Sequence, residues 1–134
     1  MEEEKDIKQF FPEAETIILL REGTEKILGE TARKKVLSAL ESMSENAVQM
    51  PAFGVSIDEL TRKDMQKGVW LRLSYAENQS CFGMDFSELA FEVVPEYMGF
   101  NLCRLYEGAY SGRCFYLDLR GGDMRALYEV LTSL

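Results

Sequence analysis

The chain contains no histidine. That closes Ser-His-Asp and Cys-His catalysis, His-ligated zinc and the commonest general base near neutral pH. Its three cysteines, Cys81, Cys103 and Cys114, include no C-x-x-C pair, so thioredoxin-like and zinc-ribbon readings fail. An odd cysteine count in a chain large enough to build its own core predicts reduced thiols and a cytoplasmic location. Long hydrophobic runs are missing too. The longest clean aliphatic stretch is Ile17-Ile18-Leu19-Leu20, far short of the ~20 residues of a membrane span. The start, Met1-Glu2-Glu3-Glu4-Lys5-Asp6, lacks the basic start and apolar stretch of a secretory signal. Residues 1–6 are expected to fray.

Positive charge is scarce. Fifteen Lys and Arg face 23 Asp and Glu, giving a net charge of −8 and an isoelectric point near 4.6. Such a field repels phosphate backbones and anionic lipid, so neither nucleic acid nor membrane is an expected partner. It favours a basic protein partner, and it also keeps a small domain in solution. The G-x-x-x-x-G-K-[ST], G-x-G-x-x-G and calcium-loop patterns are absent as well. No cofactor and no metal is expected.

What is present is ordinary for a globular domain. The 134 residues are 46% hydrophobic and 28% charged, and a chain of this mass can bury about two thirds of its surface. We expect one domain spanning residues 1–134, with no linker or internal repeat. Phe10-Phe11-Pro12 interrupts an acidic start and suits a small docked helix. Thr16 to Arg21 is β-branched and aliphatic, and Glu22-Gly23 offers a turn. Residues 24–28 then return as a short strand or begin a helix. The interior Gly29 favours the strand, because Gly inside a helix costs about 1 kcal/mol against Ala.

Val36, Leu37, Leu40 and Met43 recur at helical spacing and predict a helix at about 31–45, with Thr31 as its cap. Ser56 and Glu59 match a capping box for a short helix at about 57–67 that ends at Gly68. From Val69 the pattern alternates: Val69, Leu71, Leu73 and Tyr75 share one face, and Trp70, Arg72 and Ser74 the other. Leu89, Phe91 and Val93 alternate with Glu88, Ala90 and Glu92. Residues 100–106 and 113–119 flank Gly108-Ala109-Tyr110-Ser111-Gly112, a hairpin signal. Met124, Leu127, Tyr128, Leu131 and Leu134 form an amphipathic stripe for a helix at about 123–134. The expected fold is therefore α+β: an antiparallel sheet of four to five strands, with its helices mainly on one face.

Aligning the apolar rows of that last hairpin fixes an expected register. Leu105 falls opposite Phe115, and partner numbers sum to even values. Cys103 and Cys114 then point to opposite faces and form no disulfide.

The chemical candidates are few. Leu119-Arg120-Gly121-Gly122-Asp123 presents amides at a helix start, but its spacing matches no phosphate loop and Asp123 repels anions. It reads as a turn with an N-cap. Asp85, Glu88, Glu92 and Glu96 include two carboxylates on one strand face, where a close pair would split its pKa values; a solvated sheet face is the simpler reading. Cys81 has no local cation or helix start to activate it.

The most informative feature is the second face of the hairpin. On the expected register it carries Arg104, Tyr106, Tyr116 and Asp118, and Glu92 lies on the preceding strand. This mixture of aromatics, Arg and acids is enriched in protein interfaces. The sequence thus favours a non-enzymatic interaction module, joining itself or a basic protein through this face. The second reading is a small-molecule binder or minor enzyme with a His-free pocket between sheet and helices.

Overall fold

A computed structural model describes residues 5–51 and 54–134. A 3-10 helix, Ile7–Glu13, comes first, capped by Asp6, whose side chain accepts from the Lys8 amide. Strands β1 (Thr16–Arg21) and β2 (Thr24–Ile27) precede helix α1 (Glu30–Ser44), β3 (Val48–Met50), β4 (Val55–Ser56) and α2 (Asp58–Asp64). Long strands β5 (Val69–Cys81), β6 (Met84–Glu92) and β7 (Gly99–Tyr106) follow. The short β8 (Ala109–Tyr110), β9 (Gly112–Arg113) and β10 (Phe115–Asp118) lead to α3 (Arg125–Thr132).

The chain is α+β as expected, but the sheet is larger than four to five strands. Eight strands pair antiparallel in the order β2-β1-β5-β6-β7-β10-β3, with β8 on β7, and β4 and β9 form a separate ribbon. The extra strands are short, two or three residues for β3, β4, β8 and β9, too short to show an alternating pattern in sequence.

Three hairpins share one turn chemistry. Glu22-Gly23, Phe82-Gly83 and Glu107-Gly108 all have positive φ at both residues, as a two-residue type I′ loop requires. They join β1 to β2, β5 to β6 and β7 to β8. Residues 24–27 are therefore a strand, as Gly29 favoured.

The third turn overturns the expected register. The chain reverses at Glu107-Gly108, not across residues 108–112, so Leu105 pairs with Tyr110. Farther along, Phe115 pairs with Leu102 and Leu117 with Phe100. Partner numbers sum to odd values, and continuing this ladder by one residue sets Cys114 opposite Cys103. Their sulfurs lie 4.0 Å apart and are not joined.

One face of the sheet carries the main core. Leu19, Leu71, Leu73, Leu89, Phe91, Leu102 and Leu117 meet Val36 and Leu40 of α1 and Leu127 and Leu131 of α3. Phe86 takes edge-on contacts from Phe10, Tyr75 and Phe115. Tyr75 donates its hydroxyl to the Phe10 carbonyl at 2.8 Å, which ties the 3-10 helix to β5.

The other face holds a smaller cluster of Ile18, Leu20, Trp70, Ala90 and Tyr110, to which Met65, the residue after α2, contributes. The helices therefore do not all lie on one face. The predicted capping residues also differ: α1 starts after Gly29 and α2 after Ile57, neither with a side-chain cap. Ser56 belongs to β4 and its hydroxyl donates to the Gly112 carbonyl. Among the described residues no helix is long and apolar enough to cross a membrane.

Candidate functional site

The second sheet face is where unusual chemistry collects. It begins with a buried polar network. Arg72 on β5 donates through Nε and Nη2 to both oxygens of Glu88 on β6, at 3.1 and 2.9 Å. Its Nη1 donates to Glu25 at 2.7 Å. The Tyr110 hydroxyl donates to Glu88 Oε2 at 2.8 Å. Glu88 is buried, so it is not part of a solvated sheet face. Burial opposes the Arg72 charge, but the hydrogen-bonded Glu88 carboxylate and Glu25 more than offset this and hold the guanidinium protonated. Burial, then the adjacent Glu88 charge, pushes the Tyr110 hydroxyl well above its ordinary value.

Helix α2 is clamped over this network. Asp58 Oδ1 accepts the Tyr110 amide at 2.7 Å, and both Asp58 oxygens receive Arg62 Nε. Arg62 also donates to the Gly108 carbonyl at 2.9 Å and lies 5.1 Å from the Tyr110 ring centre, within cation–π range. The helix thus closes one half of the face.

The other half stays open as a groove of about 270 Å³, lined by Trp70, Glu92, Tyr97, Asn101, Cys103 and Tyr116 among others. Gly99 is required here: a Cβ at that position would collide with the Leu117 carbonyl as well as with the ring end of Tyr116. Backbone bonds hold the rim, since Tyr97 and Met98 carbonyls accept from the Met124 and Leu119 amides. The Trp70 indole donates to the Lys67 carbonyl at 3.2 Å. Glu92 gives the groove its charge, and the exposed Asp64 of α2 lies near enough to act on it. Burial, followed by the nearby Asp64 charge, raises the Glu92 carboxyl above its ordinary value. Among the described residues neither acid takes a salt bridge.

The odd-sum register divides the residues singled out from sequence. Tyr116 and Glu92 line the groove. Asp118 shares the Tyr116 side of β10 and accepts the Arg120 amide at 2.8 Å. Arg104 and Tyr106 alternate with Cys103 and Leu105 and so lie on the opposite face. Arg104 donates to the Arg113 and Asp85 carbonyls at 2.7 and 2.6 Å. Sequence reasoning missed Tyr97, which lies in a loop without periodicity, and Asn101. Trp70 was assigned to this face by alternation, but its place beside Tyr116 required the strand order.

Two further features lie outside the groove. An open concavity of about 490 Å³ is bordered by Gln49, Met50, Phe82, Met84, Arg113 and Cys114, among others. Val55, Ile57 and Leu60, at the start of α2 and just before it, are 63%, 56% and 55% exposed. Among the described residues no group of His, Cys, Asp and Glu is arranged to hold a metal ion. Comparison with family models, curated proteins and solved structures finds no match to this chain.

Proposed function

We propose that the chain is a non-enzymatic binding module whose groove beside α2 receives a cationic segment of a protein partner. The observation that carries the reading is Glu92, which lines the groove with Trp70, Tyr97 and Tyr116, feels the nearby Asp64 charge and among the described residues has no salt bridge. A Lys or Arg side chain entering there relieves the repulsion between Glu92 and Asp64 and lies against aromatic rings, which attract cations. The net charge of −8 steers a basic partner towards the surface from a distance. The exposed Val55, Ile57 and Leu60 add apolar area of the kind interfaces use. A chain of this charge is poorly suited to fill its own acidic groove, so a basic protein is favoured over self-association. A cytoplasmic location accords with this role.

Trp70 is the only tryptophan, so its fluorescence reports on the groove directly. An Arg-containing basic peptide is expected to change that fluorescence saturably, with binding weakened by added salt. An acidic peptide of equal length should leave it unchanged. Equal responses to both peptides, or none to either, count against the proposal, as does a solution mass showing a dimer that buries Trp70.

The small-molecule reading stands second. The space between the sheet and helices α1 and α3 is filled by core side chains. The concavity that favours this reading lies outside that space, near Arg113 and Met50, and its volume falls within the range of ligand sites.

A further inference from the structure

We propose that Cys103 and Cys114 form a reversible oxidation site, a cross-strand dithiol that a small hydroperoxide converts to a disulfide. The proposal rests on the placement of the two thiols, one of which, Cys103, also lines the groove, and it does not rest on the binding role proposed for that groove. Their sulfurs are 4.0 Å apart, against about 2.0 Å in a disulfide. Directly opposed strand residues have Cβ atoms about 4.5–5.5 Å apart, and a disulfide needs about 3.5–4.5 Å. A side-chain rotation and a small approach of β7 and the start of β10 therefore suffice.

The surroundings make the two sulfurs unequal. Cys114 is 7% exposed and borders the open concavity near Arg113, the side from which a molecule of peroxide size would approach it. The bond between the two thiols, the adjoining Ser56 and the nearby Arg104 charge together outweigh burial and lower the Cys114 thiol below its ordinary value. Arg104 is held in position by its bonds to the Arg113 and Asp85 carbonyls. Cys103 shifts upward, through its bond to Cys114, burial and the charge of Asp64. Because Cys114 is the thiol that borders the concavity, we assign it as the attacking sulfur and Cys103 as the resolving one. Cys81 is different: it is fully buried, and its thiol donates to the Lys5 carbonyl at 3.2 Å.

The steps balance. The Cys114 thiolate attacks one peroxide oxygen; an S–O bond forms, the O–O bond breaks, and hydroxide leaves and takes up a proton as water. The Cys103 sulfur then attacks the sulfenic sulfur of Cys114. An S–S bond forms, the S–O bond breaks, and hydroxide departs with the Cys103 proton as a second water. Two thiols are oxidised and one peroxide is reduced.

The test treats the full chain with equimolar hydrogen peroxide, blocks remaining thiols with N-ethylmaleimide and measures intact mass. Alkylated cysteines should fall from three to one, and dithiothreitol should restore all three. Trypsin should release residues 73–104 linked to residues 114–120. Because the first peptide also holds Cys81, the same link must persist in Cys81→Ser. In Cys103→Ala the Cys114 sulfenic acid has no resolving thiol and should be trapped by dimedone. Three alkylatable thiols after peroxide, a link through Cys81, or a disulfide-joined dimer overturns the proposal. The wild-type mass decides the matter even if Cys103→Ala fails to fold.

Discussion

Arg72 grips Glu88 diagonally across the β5–β6 ladder, Nε to Oε2 at 3.1 Å and Nη2 to Oε1 at 2.9 Å. Their side chains are only 17% and 10% exposed. A buried ion pair contributes little over apolar residues of similar volume, but losing one partner leaves a stranded charge. Glu88→Ala is expected to cost about 3 kcal/mol in urea unfolding, near the low end for a buried pair because Glu25 still contacts Arg72. The double variant Arg72→Met with Glu88→Met should cost clearly less than the sum of its single substitutions. Strictly additive losses would show that the pair does not act as a unit.

The turn at Glu107-Gly108 sets the register of the sheet's second half, so its chemistry should be measurable. Glu107 sits at φ 51°, in a region where L-residues other than Asn and Gly are disfavoured by about 1–2 kcal/mol. Glu107→Asn supplies the preferred type I′ pair and should stabilise by about 0.5–1 kcal/mol. At Gly108, φ is 81° and a Cβ would meet no atom within 4 Å. Gly108→Ala should therefore destabilise by about 1–2 kcal/mol through backbone strain alone. A shift of the urea midpoint in the opposite direction for either variant would refute the turn assignment.

That same turn explains what the sequence could and could not reveal. The alternations in 69–75 and 88–93 and the α1 and α3 stripes identified the long elements, because each buries one face with a clear period. The Gly-rich stretch 108–112 signalled a reversal but did not say which two residues turn. Glu carries no positive-φ signature, so Glu107 gave no hint. A change in loop length alters the parity of every pair beyond it, and with it the face each side chain takes. Arg104 and Tyr106 were grouped with Tyr116 for that reason. Glu88 looked like one more acid on a polar strand. Its burial depends on Arg72, sixteen residues away, and on the placement of α2, and neither is a local property of the sequence. The groove needs Tyr97, Trp70 and Tyr116 from three separate segments, and only the strand order brings them together.

Asp58 links α2 to the β7–β8 hairpin through the Tyr110 amide. That hydrogen bond, joined by Arg62 and opposed by burial, holds its carboxyl below the ordinary value. The folded state therefore binds this proton less tightly than the unfolded chain. The resulting stability is fully present above the usual carboxylate range near about 4 and is lost as pH falls through the lower folded value. The stability gap between wild type and Asp58→Ala should be level from about pH 7 to pH 5 and narrow below about pH 4. Urea unfolding at several pH values measures it, and a gap that widens in acid contradicts the assignment.

Glu92 has the opposite sign and bears on function. Burial and Asp64 raise its carboxyl, so the folded state binds this proton more tightly than the unfolded chain does. Its ionisation destabilises the fold fully above the raised folded value, and the effect disappears below the ordinary carboxylate range. Glu92→Gln should therefore raise the melting temperature at neutral pH, with the gain fading as the medium is acidified to about pH 4. The same substitution removes a charge from the groove. Binding of a basic peptide, followed by Trp70 fluorescence, should weaken roughly tenfold, the equivalent of about 1.4 kcal/mol. If Glu92→Gln stabilises the fold and leaves peptide binding unchanged, the groove is not where the cation sits.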